Sequence, residues 1–137
     1  MSGEVVSKNS GVHRFNIRVY YEDTDMAGIV YYANYLRYIE RARSDWVRDI
    51  GVDQNAMRDE GVVFAVRRVE ADYLGSARFD DELSVETAIS AVTGARLVLD
   101  QKVKRGEEVL FEAQVTIVCL ADGHPTRLPA NFRQRVN

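Results

Sequence analysis

The sequence predicts an α+β fold, a curved antiparallel sheet of about five strands wrapped around one long central helix. Three observations carry this. A short segment near the start alternates apolar and polar residues, one long segment repeats its apolar residues at helical spacing, and four alternating segments then follow at short intervals. Short links favour antiparallel neighbours, because a parallel crossover needs about a dozen residues or more. With a single long helix to bury, the concave side of the sheet is its expected place.

Residues 14–21 form the first strand, with Phe15, Ile17, Val19 and Tyr21 on one side and Arg14, Asn16, Arg18 and Tyr20 on the other. The segment Glu22 to Gly28 combines two aspartates, a threonine and a glycine, residues that bond nearby backbone and let the chain turn. From about Ala33 the period changes. Tyr35, Ile39, Ala42, Trp46 and Ile50 recur at spacings of three and four, which predicts a helix of about four to five turns. Asn34 is its expected N-cap and Gly51 its C-terminal stop. Gln54 to Glu60 adds a short helical turn before Gly61.

The remainder reads as strand: Val62 to Leu74, Leu83 to Val92, Ala95 to Lys104 and Val109 to Leu120. In the third of these, Leu97, Leu99, Gln101 and Val103 share a face. Gly75, Gly94 and Gly106 punctuate the gaps. Pro125 and Pro129 bracket a final turn, and Ala130 to Val136 forms a short helical tail.

The length of 137 residues, 46% hydrophobic and 28% charged, suits a single domain over 1–137, with residues 1–12 expected to be flexible. Residues 1–10 carry no apolar signal core, and no later run approaches a membrane span of about 18 apolar residues, so a cytoplasmic protein is expected. The net charge of −3 argues against a nucleic-acid binder, which needs a broad basic face. The lone Cys119 lies in an apolar alternating run and reads as a small buried hydrophobe. His13 and His124 are far apart and outside any Cys/His cluster, so no metal is expected.

The informative stretch is Tyr20 to Arg43, YYEDTDMAGIVYYANYLRYIERAR. Asp23 and Asp25, followed by Gly28 and a helix start, set carboxylates near unpaired backbone N–H groups. A carboxylate can act as base or nucleophile, and helix N-terminal amides can stabilise an oxyanion in acyl transfer. Asp and Thr ahead of a helix are also ordinary turn and cap formers, so spacing alone assigns no chemistry.

Tyr21-Glu22-Asp23-Thr24-Asp25, Gly28-Ile29-Val30-Tyr31, Asn34-Tyr35-Leu36 and Glu40-Arg41-Ala42-Arg43 together resemble the signature of the 4-hydroxybenzoyl-CoA thioesterase-like hotdog family. Within it, the chain is most similar to the Tol-Pal system-associated acyl-CoA thioesterases. The likeness extends over nearly the whole chain, but this signature is its most specific part. It implies a hotdog fold, hydrolysis of acyl-CoA thioesters without a cofactor, and a homodimer or homotetramer with sites at the subunit interface. It assigns the catalytic carboxylate to Asp25 and carbonyl binding to the backbone amide of Tyr32.

One departure bears on substrate. Much of the Tol-Pal-associated group has histidine after the Val-Tyr pair, where this chain has Tyr32. An amide role survives that exchange, whereas a side-chain role does not transfer unchanged. Asp23 is expected to bond loop amides. Glu40, flanked by Arg37 and Arg43, is expected in a helical charge network, although another hotdog branch carries its carboxylate on this helix.

The phosphates of CoA call for cations, and Arg96 and Arg127 are the candidates, with a plain solvated charge the competing use. The basic pair of the aromatic branch near Thr93-Gly94 is absent. A hotdog dehydratase would need a histidine in the signature, which has none. The alternative reading is a non-catalytic partner that binds acyl-CoA or acyl carrier protein in an envelope or phospholipid-synthesis complex.

Overall fold

The computed structural model describes residues 11–136. Strand β1 (His13–Arg18) leads through a 3-10 turn (Tyr21–Asp23) and a loop to helix α1 (Asn34–Asp49) and the short α2 (Gln54–Asp59). Strands β2 (Val62–Tyr73), β3 (Glu82–Val92), β4 (Arg96–Arg105), β5 (Glu108–Ala121) and β6 (His124–Thr126) follow, then helix α3 (Ala130–Val136). Most of the expected flexible segment 1–12 lies outside the described residues.

The sheet is antiparallel throughout, in the order β1-β3-β4-β5-β2. Two differences from the sequence reading stand out. Strands β2 and β3, though consecutive, do not pair: the Leu74–Asp81 link crosses the sheet, leaving β2 on the edge beside β5. And the Pro125 turn holds a sixth strand, whose His124 to Thr126 pair with Ala121 to Cys119. That strand continues the line of β4, which ends against β5 at the Arg96/Val118 pair.

The apolar stripe of α1 is buried as its spacing requires: Tyr35, Tyr38, Ile39, Ala42, Trp46 and Val47 face the sheet. They pack on Val85, Leu97, Leu99, Val103, Phe111, Val115 and Ile117. Gln101 shares this inner face and is fully buried with Thr87. Its Nε2 donates to the Ile39 carbonyl and the Thr87 hydroxyl, both at 2.9 Å, while its Oε1 accepts from Arg43 at 3.0 Å. The amide is therefore satisfied, and truncating it would strand two buried partners at about 1–3 kcal/mol each.

Both helix ends have local causes. Gly51 follows the Ile50 cap with φ +87°, and Arg135 of α3 donates to the Ile50 carbonyl at 3.0 Å. The N-terminus corrects the expected Asn34 cap. Ala33 is the capping residue and no side chain caps it; Asn34 instead donates its Nδ2 to the Asp23 carbonyl at 2.9 Å. Strand β1 also stops earlier than its pattern suggested. The 3-10 turn takes over the backbone of Tyr20 to Asp23, so Tyr21 is exposed and does not continue the inner face.

Candidate active site at the mouth of helix α1

Asp23 organises the loop between β1 and α1. Its Oδ2 accepts the Tyr20 N–H at 2.8 Å, and its carbonyl accepts the Tyr31 N–H and the Asn34 amide at 2.9 Å. The expectation that Asp23 bonds loop amides is met at Tyr20. Between the two legs thus joined, Asp25 makes a tight turn: its Oδ1 accepts the Ala27 N–H and its carbonyl the Gly28 N–H, both at 2.9 Å. Gly28 closes the turn at φ +78°, a left-handed conformation that suits glycine. The Asp25 N–H then reaches the Ile29 carbonyl at 2.9 Å, and the Val30 N–H donates to Ala77 at 2.8 Å, tying the loop to the β2–β3 link.

Beyond the turn the backbone enters α1. The N–H groups of Asn34, Tyr35 and Leu36 bond back to Tyr31, Tyr32 and Ala33. Among the described residues, no acceptor takes the N–H of Tyr32 or of Ala33. These are orphan donors at the positive end of the helix; earlier in the same loop the exposed Asp25 carboxylate has one oxygen unused by the turn. Asp25 and Tyr32 thus belong to one loop between β1 and α1.

Aromatic rings wall this mouth. Tyr32 lies 5.0 Å from Tyr31 and 5.9 Å from Tyr73 of β2 between ring centroids, and Tyr73 meets Phe111 at 4.9 Å. Tyr35 stacks on Phe111 at 5.2 Å, and its hydroxyl accepts the Ala77 N–H at 2.9 Å; burial pushes its pKa up. Tyr31, Tyr32, Leu36, Tyr73 and Leu74 remain exposed. Tyr73 joins the mouth from β2, a long-range neighbour that local spacing in the signature had no means of showing.

A sequence model of the thioesterase-like superfamily matches residues 19–136, nearly all of the described chain. The chain belongs to that superfamily. Its relatives include the acyl-CoA thioester hydrolase YbgC of Escherichia coli O157:H7, 41% identical over 113 residues, which span 82% of this chain and 84% of the relative. The acyl-CoA thioesterase YbgC of Haemophilus influenzae is 40% identical over 107 residues, 77% of this chain and 79% of that one. A probable thioesterase from Bartonella henselae superposes with TM-score 0.83 at 37% identity, over 86% of this chain and 99% of that structure.

A 4-hydroxybenzoyl-CoA thioesterase shares this thioesterase-like fold at TM-score 0.83 and 21% identity, over 92% of this chain and 99% of that one. The resemblance read from Tyr21 to Arg43 is thus borne out, and the fold is the hotdog.

Arg96 and Arg127 lie at one end of the sheet, away from Asp25. The Arg127 guanidinium lies over Gly94, where a Cβ would meet it at 2.5 Å, and Arg96 begins the next strand; both are exposed. They mark the opposite end of the sheet from the Asp25 loop, about 30 Å along β4 at 3.3 Å per residue. Glu40 corrects another expectation. Its carboxylate accepts from Ser44 at 2.8 Å, and among the described residues it forms no ion pair with Arg37 or Arg43. Arg43 turns inward to Gln101, where burial lowers its pKa. Glu40, Arg43 and Ser44 edge a cavity of about 200 Å³ against Phe64, Leu99 and Ile117.

No group of three or more His, Cys, Asp or Glu among the described residues is placed to hold a metal, and no helix there is long and apolar enough to cross a membrane.

Proposed function

We propose that this chain hydrolyses acyl-CoA thioesters to the free acid and CoA, with Asp25 driving the reaction and the Tyr32 N–H holding the thioester carbonyl oxygen. The observation that carries it is the unused Tyr32 N–H at the start of α1, on the same loop as the exposed Asp25 carboxylate. As carbonyl carbon becomes tetrahedral, its oxygen gains charge that a fixed amide at a helix N-terminus stabilises. Asp25 either takes a proton from the attacking water or attacks itself to give an anhydride that water opens. In both routes the C–S bond breaks and CoA leaves as a thiol. The CoA thioester is the substrate, and the chemistry calls on no further cofactor.

The working unit in this reading is a single hotdog domain assembled into a cytoplasmic homodimer or homotetramer. Strand β2 offers twelve residues of sheet edge with Val66, Val69 and Tyr73 exposed, an edge suited to a second copy. Antiparallel pairing of two β2 strands about a two-fold axis reverses the ends of the second sheet. Its Arg96 and Arg127 then face the Asp25 end of the first, an arrangement that suits a substrate whose thioester and phosphates sit at opposite ends of a long arm.

The test is thiol release from a panel of aliphatic and aromatic acyl-CoAs by wild type and by Asp25→Asn, with folding of both verified. Turnover by wild type and a loss of about a hundredfold or more in kcat for the variant are expected. An active Asp25→Asn would move the carboxylate role to Glu40, and a wild type inert on every substrate would favour the binding-only reading.

A further inference from the structure

Helix α1 does not cover the whole inner face of the sheet. Val66, Val69 and Tyr73 of β2 pair with Ile117, Val115 and Phe111 of β5, and paired residues point to the same side. The three β5 residues are buried in the core, whereas Val66, Val69 and Tyr73 are 48%, 40% and 45% exposed. What remains is an apolar groove between β2 and the flank of α1. Its helical wall is the stripe Leu36, Glu40, Arg43 and Val47, spaced four, three and four residues apart and so on one face. One end of the groove lies at the mouth of α1, where the Tyr73 ring meets that of Tyr32 at 5.9 Å. The other end is the cavity of about 200 Å³ that Arg43 and Val47 line together with Phe64 and Val66.

Among the described residues Arg43 is the only cation lining that cavity. A guanidinium carries five N–H donors, and among the described residues one of its nitrogens is engaged, by Gln101 at 3.0 Å. Burial lowers its pKa, and the charge of Glu40, which is exposed and bonded to Ser44, only partly offsets that. A half-buried cation without an ion pair is costly to keep, and a neutral amide would serve Gln101 as well. The donors left over form a fork that suits a carboxylate, gripped by two parallel N–H bonds. We propose that Arg43 is a specificity-determining residue: an acyl chain held at Tyr32 lies along the α1–β2 groove, and a carboxylate at its far end binds the Arg43 guanidinium. The preferred substrates are then CoA half-thioesters of dicarboxylic acids, their methylenes against Leu36, Val66 and Val69. The inference rests on the thioesterase reading and names its substrate class. Pairing of two β2 edges uses backbone groups and leaves this inner face to the substrate.

Tyr32 and Arg43 are eleven positions apart, about 16 Å along a helix, and helical side chains tilt back towards the N-terminus. The preference should therefore emerge with chain length and be absent for the shortest diacid. The test compares kcat/KM for ω-carboxyacyl-CoAs, from succinyl to sebacoyl, with the unsubstituted acyl-CoAs of equal length. Wild type should favour the carboxylated ester by about tenfold or more at the matching length. Arg43→Met should bring that ratio to one or below, and Arg43→Lys, which keeps the charge but not the fork, should retain part of it. Each ratio is taken within one protein, so any loss of stability from the missing Gln101 bond cancels. A wild type that shows no preference for the carboxylate at any length overturns the proposal, as does an Arg43→Met with the wild-type ratio. Wild type without turnover on either series fails the thioesterase reading and this proposal with it, whereas turnover without the preference fails this proposal alone.

Discussion

Cys119 is fully buried on the inner face of β5, and burial pushes its thiol up to a pKa of about 11. At pH 8 almost none of it is thiolate, the reactive form. Intact-mass measurement should find the native protein unmodified after iodoacetamide treatment at that pH, and singly alkylated once it is unfolded in guanidinium; rapid labelling of the native form would contradict the packing around β5. At this same scale, the sequence disclosed those residues whose partners lie close by in the chain. Asp23, Asp25, Gly28 and Tyr32 fall within ten positions, so turn chemistry and a helix start together indicated a carboxylate beside free amides. Asn34 and Glu40 were misread because their fates depend on residues outside any local pattern. The Asp23 carbonyl draws Asn34 away from capping, and Gln101, 58 places beyond Arg43, takes the Arg43 guanidinium as its hydrogen-bond partner.

The elements were legible wherever periodicity was long, as in α1 and in β2 to β5, and their adjacency was not. Short links suggested neighbours in order, yet β2 and β3 part company, and Asp81 and Arg105 hold the link that runs between them. Asp81 sits where the Leu74–Asp81 link meets β3. Burial raises its carboxyl, but the Arg78 N–H at 2.8 Å and the Arg105 guanidinium at 2.8 Å outweigh that and hold it below the usual carboxylate range. Arg105 also binds the Ser76 carbonyl and Glu108, so one side chain fastens the crossing link to the β4–β5 hairpin.

A folded pKa below the unfolded value, about 4 for Asp, contributes stability that is present above that value and lost as pH falls through the folded one. Asp81→Asn should therefore lower the melting temperature at pH 7 by about 3 °C, a modest figure because both partners are partly exposed. The gap between variant and wild type should close as the pH falls below the ordinary carboxylate range. A gap constant across a calorimetric pH series would show that the charge of Asp81 is not the source. Strand β6 escaped the sequence because two prolines in and beside three residues leave no alternation to read, and it exists only because β5 outruns β4.

For the whole molecule, the decisive features are a long bare edge on β2 and a separation of the acidic loop from the arginine pair by the full length of the sheet. A chain alone has Asp25 open to solvent and its cations far off; in the proposed dimer, two chains across a dyad would bring each near what the other lacks. Such an arrangement would amount to a division of labour between copies, and it would admit genetic complementation. Asp25→Asn and the double variant Arg96→Ala/Arg127→Ala should each be poorly active on their own, the first in kcat and the second in KM for CoA esters. Unfolded together and refolded as a mixture, they form hybrids in which one of the two clefts inherits an intact carboxylate from one parent and intact arginines from the other. Activity should then return to a mixture of two crippled proteins, and its failure to do so would show that each copy serves only itself.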